Sequence, residues 1–143
     1  MYIVDKIELD VYTNNESNAE GDGIAYLGFG GREFLLDIPS YHEFRKGSKD
    51  LFIIGNGSNI KSDNGINDLL NSSNSYEIND KDVTRFPIYL RYEPKDERDM
   101  WNIDRLELRI YDSSGNIQST LRAVSGNGDV WLGKKSGLII GLR

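Results

Sequence analysis

The sequence has no cysteine, one histidine, three prolines and two methionines in 143 residues. Without cysteine there is no disulfide framework, no thiolate metal site and no cysteine nucleophile. The single imidazole, His42, excludes centres that need several, and no serine sits in a Gly-x-Ser-x-Gly setting beside a base that could activate it. Positive charge is also scarce: 17 Lys and Arg against 23 Asp and Glu leave a net charge of −6, with the basic residues scattered along the chain. That balance disfavours nucleic acid as a partner. The opening MYIVDKIELD has charges inside its first ten residues and no apolar block long enough for a signal peptide or a membrane span, so the expectation is a soluble chain, cytoplasmic or released from a bacterial cell.

What is present is alternation. Ile7, Leu9 and Val11 alternate with Glu8, Asp10 and Tyr12; Leu106, Leu108 and Ile110 alternate with Glu107, Arg109 and Tyr111; Phe86, Ile88 and Leu90 alternate with Pro87, Tyr89 and Arg91. A period of two is the mark of a strand with one buried face. Shorter candidates are Ile24 to Phe29, Glu33 to Ile38, Leu51 to Ile54, Ile117 to Val124 and Leu138 to Leu142, most of them bounded by Gly, Asn or Ser. Strands of this length, with turn chemistry such as Asp112-Ser-Ser-Gly115 between them, predict an all-β fold: an antiparallel, eight-stranded β-sandwich, one domain over residues 1–143, with a hairpin after Asp112.

Gly55 to Ser75 is so rich in Asn, Ser and Gly that it reads as a long surface loop, with Asn67 to Asn71 its only stretch able to coil into a helical turn. A second stretch poses a sharper question. NAEGDGIAYLGF, Asn18 to Phe29, runs carboxylates and glycines straight into a strand, which suits either a metal-binding loop or a turn that the strand requires.

The order of segments carries a resemblance. IELDVYT, then AEGDG, then IAYLGF are followed by EFRKGSKDLF (Glu43 to Phe52) and later by WNIDRLELRI (Trp101 to Ile110). Together these blocks resemble the PLAT (lipoxygenase-homology) family, and within it the calcium-dependent, membrane-binding C-terminal domain of clostridial alpha-toxin phospholipases. Two departures stand out: Glu20 replaces a glycine of the family's alanine-glycine-threonine-aspartate core, and Gly23 follows where the family has an acid. From Gly126 onward no segment has a counterpart.

The resemblance implies calcium, held by oxygens of two neighbouring loops at one end of the sandwich. By position the first loop offers Asn18, Glu20 and Asp22, and the second, EPKDERDMW, offers Asp96, Glu97 and Asp99. Calcium takes six to eight oxygens on irregular loops, and converging acids would otherwise repel one another. The alternative is that these are ordinary strand-end acids, neutralised in the second loop by Lys95 and Arg98. The resemblance also implies a lipid- or partner-binding surface of Tyr92, Met100 and Trp101 around the second loop, with Tyr41 and His42 on another loop at the same end. Trp101 suits the core equally well. Trp131 lies in an apolar final segment that forms either an edge strand or an association surface.

The expected function is therefore a non-catalytic module that engages a membrane lipid surface or a protein partner through one end of the sandwich, with calcium as the implied cofactor. The alternative is a structural, self-associating component of a larger toxin-like assembly, a homo-oligomer included. A hydrolytic sandwich would need two carboxylates flanking one bond at defined separation, and no such pair stands out on the strands.

Overall fold

The computed structural model of the protein describes residues 1–61 and 77–143. The helical turn expected at Asn67 to Asn71 lies outside the described residues, as does most of the loop around it. Eight strands are described: β1 (Val4–Thr13), β2 (Ile24–Phe29), β3 (Arg32–Leu35), β4 (Lys49–Gly55), β5 (Tyr89–Glu93), β6 (Trp101–Asp112), β7 (Ile117–Leu132) and β8 (Ile139–Gly141). They form two four-stranded sheets, one in the order β4-β1-β6-β7 and the other β3-β2-β5-β8, with antiparallel pairing throughout. The all-β antiparallel sandwich read from the alternation is the observed architecture.

The period-two residues do what their spacing requires. Ile7, Leu9 and Val11 of β1 lie opposite Ile110, Leu108 and Leu106 of β6, and all six are fully buried. They share one core with Phe52 and Ile54 of β4 and with Ala25, Leu27, Phe29, Phe34 and Leu90 of the second sheet. The hairpin after Asp112 also forms, with the Asp112 carboxylate accepting from the amides of Ser114 and Asn116.

The outward faces are ordered by charge. Asp10 and Glu107 stand directly opposite each other, a destabilising cross-strand pair of like sign. Arg109 resolves it: one guanidinium nitrogen donates to Asp10 at 2.7 Å and to Glu107 at 3.0 Å, while Nε reaches Glu8 at 3.3 Å. On the second sheet Arg91 grips Glu33 through two nitrogens, both at 2.8 Å, and reaches Glu93 at 2.7 Å.

Three features depart from the expectations. Asp80–Arg85 is a short helix, α1, started by a reciprocal capping box in which the Asn79 side chain accepts from the Asp82 amide and the Asp82 carboxylate accepts from that of Asn79. Consequently β5 begins at Tyr89, and Phe86, placed on the strand by its alternation, is the helix C-cap. The β7 strand runs on to Leu132, past the expected end at Val124, with register shifts in its pairing with β6. Of the two roles open to the final segment, pairing of β8 with β5 makes it an edge strand. Among the described residues no helix is long and apolar enough to cross a membrane.

The Arg91 grip gives a pH dependence. Hydrogen bonding from Arg91 outweighs the cost of burial and, with the Tyr89 hydroxyl, holds Glu33 below the ordinary carboxylate value. A carboxylate depressed in the folded state stabilises above its unfolded pKa and loses that contribution as pH falls through the lower folded one. Denaturant midpoints should therefore drop between roughly pH 5 and 3, and Arg91→Met should flatten that drop; an unchanged acid limb in the variant would show that other carboxylates set it.

Candidate functional site

At one end of the sandwich the β1–β2, β3–β4, β5–β6 and β7–β8 loops meet. The Gly47 amide donates to the Asn14 carbonyl at 3.0 Å and the Gly21 amide to that of Phe44 at 3.1 Å, which joins the first two loops. Asn102, at the start of β6, donates its amide to the Ala19 carbonyl at 3.0 Å. Gly133 packs so close to the Asp99 carbonyl and the Met100 side chain that a β-carbon there would stand 3.1 and 3.0 Å from them.

Two buried aspartates hold these loops from beneath. Asp99, 7% exposed, accepts from the Asp22 amide at 3.2 Å, the Tyr92 hydroxyl at 2.5 Å and the Lys95 amide at 2.7 Å. The same Tyr92 hydroxyl accepts from the Gly23 amide at 2.8 Å, so one phenol and one carboxylate tie the first loop to the third. Asp50, 1% exposed, does the corresponding work in the second loop, accepting from the Tyr41 hydroxyl at 2.5 Å, the Phe44 amide at 2.8 Å and the Ser48 hydroxyl at 3.2 Å. Burial and the bond to Asp99 push the Tyr92 phenol well above the usual tyrosine value. The bond to Asp50, with burial, pushes that of Tyr41 up to about 12.

Trp101 fills the space under the loops. It is fully buried, its indole nitrogen donates to the Thr13 hydroxyl at 2.9 Å, and its ring packs on Phe44 and Tyr92 with centroids 4.3 and 5.1 Å away. A β-carbon on Gly21 would stand 2.8 Å from that ring, and one on Gly23 only 2.0 Å from the Glu93 carbonyl oxygen. The AEGDG turn is thus glycine-bearing because the strands beneath it leave no room for side chains at positions 21 and 23. An acid at position 23, as in the resembled family, would not fit.

Above this floor lies a cleft of about 510 Å³. The first loop contributes Asn18, Glu20 and Asp22; Lys46 comes from the second, and Arg98, Asp99 and Met100 from the third. Trp131, near the end of β7, completes the wall. The cleft collects four of the six residues expected to hold calcium, whereas Asp96 and Glu97 line a separate hollow with Arg98 and Lys135.

The six residues expected to hold calcium are not brought together as one set. Among the described residues no three His, Asp or Glu side chains come together in a way that could hold one ion. Both oxygens of Asp99 are committed to the loop clamp, and Asp96 Oδ1 accepts the amides of Arg98 and Asp99 at 2.9 and 3.0 Å, an aspartate stabilising its own turn.

The expected contact surface divides likewise. Tyr92 and Trp101 do not reach a lipid or a partner, because both are fully buried beneath the loops. Met100 is half-buried in the cleft wall, His42 is exposed, and Tyr41 is 46% exposed although its hydroxyl is bound. Lys46 and Trp131 were not foreseen in the site, and Arg98 was read only as a neutralising charge. The glycine-lysine series EFRKGSK marked the Lys46 loop, but nothing local in the sequence places Trp131 beside residue 18.

No family model and no curated sequence matches this chain. Solved structures do. The alpha toxin from Clostridium absonum matches with a TM-score of 0.63 and 18% identity, over 99% of this chain and 32% of that one. An alpha-toxin of Clostridium perfringens from an avian strain matches equally well, with a TM-score of 0.63, 18% identity and the same coverage. The coral 8R-lipoxygenase, described as calcium-activated through a C2-like domain, matches with a TM-score of 0.57 and 14% identity, over 96% of this chain and 16% of that one. The likeness shows the fold: a PLAT- or C2-like β-sandwich. In particular it is the fold of the C-terminal domain of the clostridial alpha-toxins, as the sequence resemblance implied. The chain spans less than a third of those toxins.

Two outcomes follow from the clamp. Tyr92→Phe removes the hydroxyl between Gly23 and Asp99 and should cost about 1–3 kcal/mol in denaturant unfolding, because the buried Asp99 carboxylate loses a donor and the part-buried Gly23 amide its acceptor; amide exchange at Gly23 should quicken. Slow exchange there in the variant would show that another group takes over. Calcium in place of chelator should leave the thermal midpoint unmoved, since only a ligand bound to the folded state raises it; a rise would reveal an ion held by oxygens other than the expected set.

Proposed function

We propose that the protein is a non-catalytic binding module that engages a lipid surface through the loop end of the sandwich. The observation that carries this reading is the cleft itself: charges of both signs beside Met100 and Trp131, on loops fixed from below by Asp50 and Asp99. Such a surface is rigid before it binds, so little conformational entropy is lost on contact. The half-buried Trp131 and Met100 suit the headgroup level of a membrane, where an amphipathic ring or thioether meets both polar and apolar groups. The fold shared with the alpha-toxins and with a lipoxygenase described as calcium-activated through a C2-like domain supports the same reading.

A second reading, self-association, is favoured by one feature. Leu138 and Ile139, 40% and 60% exposed, lie at the edge strand β8, where backbone groups are open to another chain. Co-sedimentation with vesicles of phosphatidylcholine and of phosphatidylglycerol, in calcium and in chelator, should recover the protein with at least one kind of vesicle. Recovery with neither kind in either condition would exclude the lipid surface and leave a protein partner or self-association, of which light scattering detects the latter.

A further inference from the structure

The cleft holds opposite charges that do not neutralise one another. Glu20 and Asp22 stand on one loop, with Lys46 and Arg98 on two others, yet no ion pair among the described residues uses any of these side chains. Elsewhere on the surface charges do pair: Arg91 holds Glu33 and Glu93, and Arg109 holds Glu8, Asp10 and Glu107. Cations and anions that line one cavity without meeting match a ligand that itself carries both signs.

We infer that the cleft binds a zwitterionic phosphate ester with a quaternary ammonium group, the phosphocholine headgroup, without a metal ion. The phosphate meets Lys46 and Arg98, which supply the positive charge that calcium would bring, through charge-assisted hydrogen bonds from ammonium and guanidinium. The quaternary ammonium lies against the carboxylates of Glu20 and Asp22 and the indole of Trp131, since a cation of that kind is drawn to an aromatic face. Asp99 stays with the loop clamp and supplies the floor. The charge of the whole chain agrees: a protein of net charge −6 is repelled by an anionic leaflet but not by a zwitterionic one.

This assignment rests on the lipid-surface reading and names its ligand. The test measures binding of the full chain to vesicles of phosphatidylcholine and of phosphatidylglycerol, and to soluble phosphocholine, each in calcium and in chelator. Expected are binding to phosphatidylcholine unchanged by chelator, at least about tenfold weaker binding to phosphatidylglycerol, and competition by soluble phosphocholine. The pair Lys46→Glu and Arg98→Glu should weaken phosphatidylcholine binding more than about tenfold with an unchanged melting temperature, because both residues are exposed. Glu20→Gln with Asp22→Asn should lower phosphatidylcholine binding and raise phosphatidylglycerol binding, a reversal that a merely structural effect would not give.

Phosphatidylglycerol bound as well as phosphatidylcholine, a need for calcium, or indifference to the Lys46 and Arg98 changes would each overturn the inference and leave the lipid surface standing. Soluble phosphocholine bound while vesicles are not would keep the cleft's ligand and overturn the membrane as its source. Binding to none of the three probes would overturn both.

Discussion

The loop end depends on one carboxylate. Asp99 lies almost out of reach of water and takes hydrogen bonds from a phenol and from two backbone amides that belong to different loops. A buried charge is tolerated only where its lone pairs are answered, and here each donor is also a fixed point of the chain: Asp22 at the end of the first loop, Lys95 at the start of the third, and Tyr92 on β5. Since Tyr92 also accepts from Gly23, the loops cannot separate without stranding a carboxylate, a hydroxyl and three amides together. Asp50 repeats the device in the neighbouring loop. Between the two clamps the ring of Trp101 sets the height of the floor, and the glycines at 21 and 23 let the first loop lie down on it.

That arrangement separates two roles that the sequence had merged. An aspartate in a loop is equally suited to bind a cation or to satisfy amides. In this protein Asp99 and Asp96 satisfy amides, which leaves Glu20 and Asp22 as carboxylates facing the cleft. Similarly, of the two tryptophans, Trp101 is buried beneath the loops and Trp131 lines the cleft.

Much of the sandwich was legible because its core strands alternate cleanly: in β1 and β6 every apolar residue of the pattern is buried, and the polar residues between them form the Arg109 network. The helix at Asp80–Arg85 was not foreseen: Asn79 and Asp82 carry the spacing of a capping box, but the alternation that follows at Phe86 reads as strand. The gathering of the first and third loops at one end was readable only through the family resemblance. What no local pattern reveals is burial that depends on distant partners. Tyr92 and Trp101 look like loop-flanking aromatics in sequence and are both buried: Phe44 and Gly21, dozens of residues earlier, pack on Trp101, and Trp101 in turn packs on Tyr92. Trp131 escapes for the same reason in reverse, being carried to the cleft by a strand whose register against β6 shifts before it is reached.

The position of β1 in its sheet has a consequence for the order of events when the chain folds. β1 is an inner strand, flanked by β4 and by β6, and its pairing with β6 joins Glu8 to Arg109. Contacts that distant in sequence are entropically slow to close. A nascent chain therefore carries Ile7, Leu9 and Val11 with a partner on one side only until β6 has been made, so β1 waits for full enclosure on a strand made about a hundred residues later. For that interval the apolar face of β1 is the segment most exposed to pairing with another chain, and the alternating Glu8 and Asp10 are the charges that guard it.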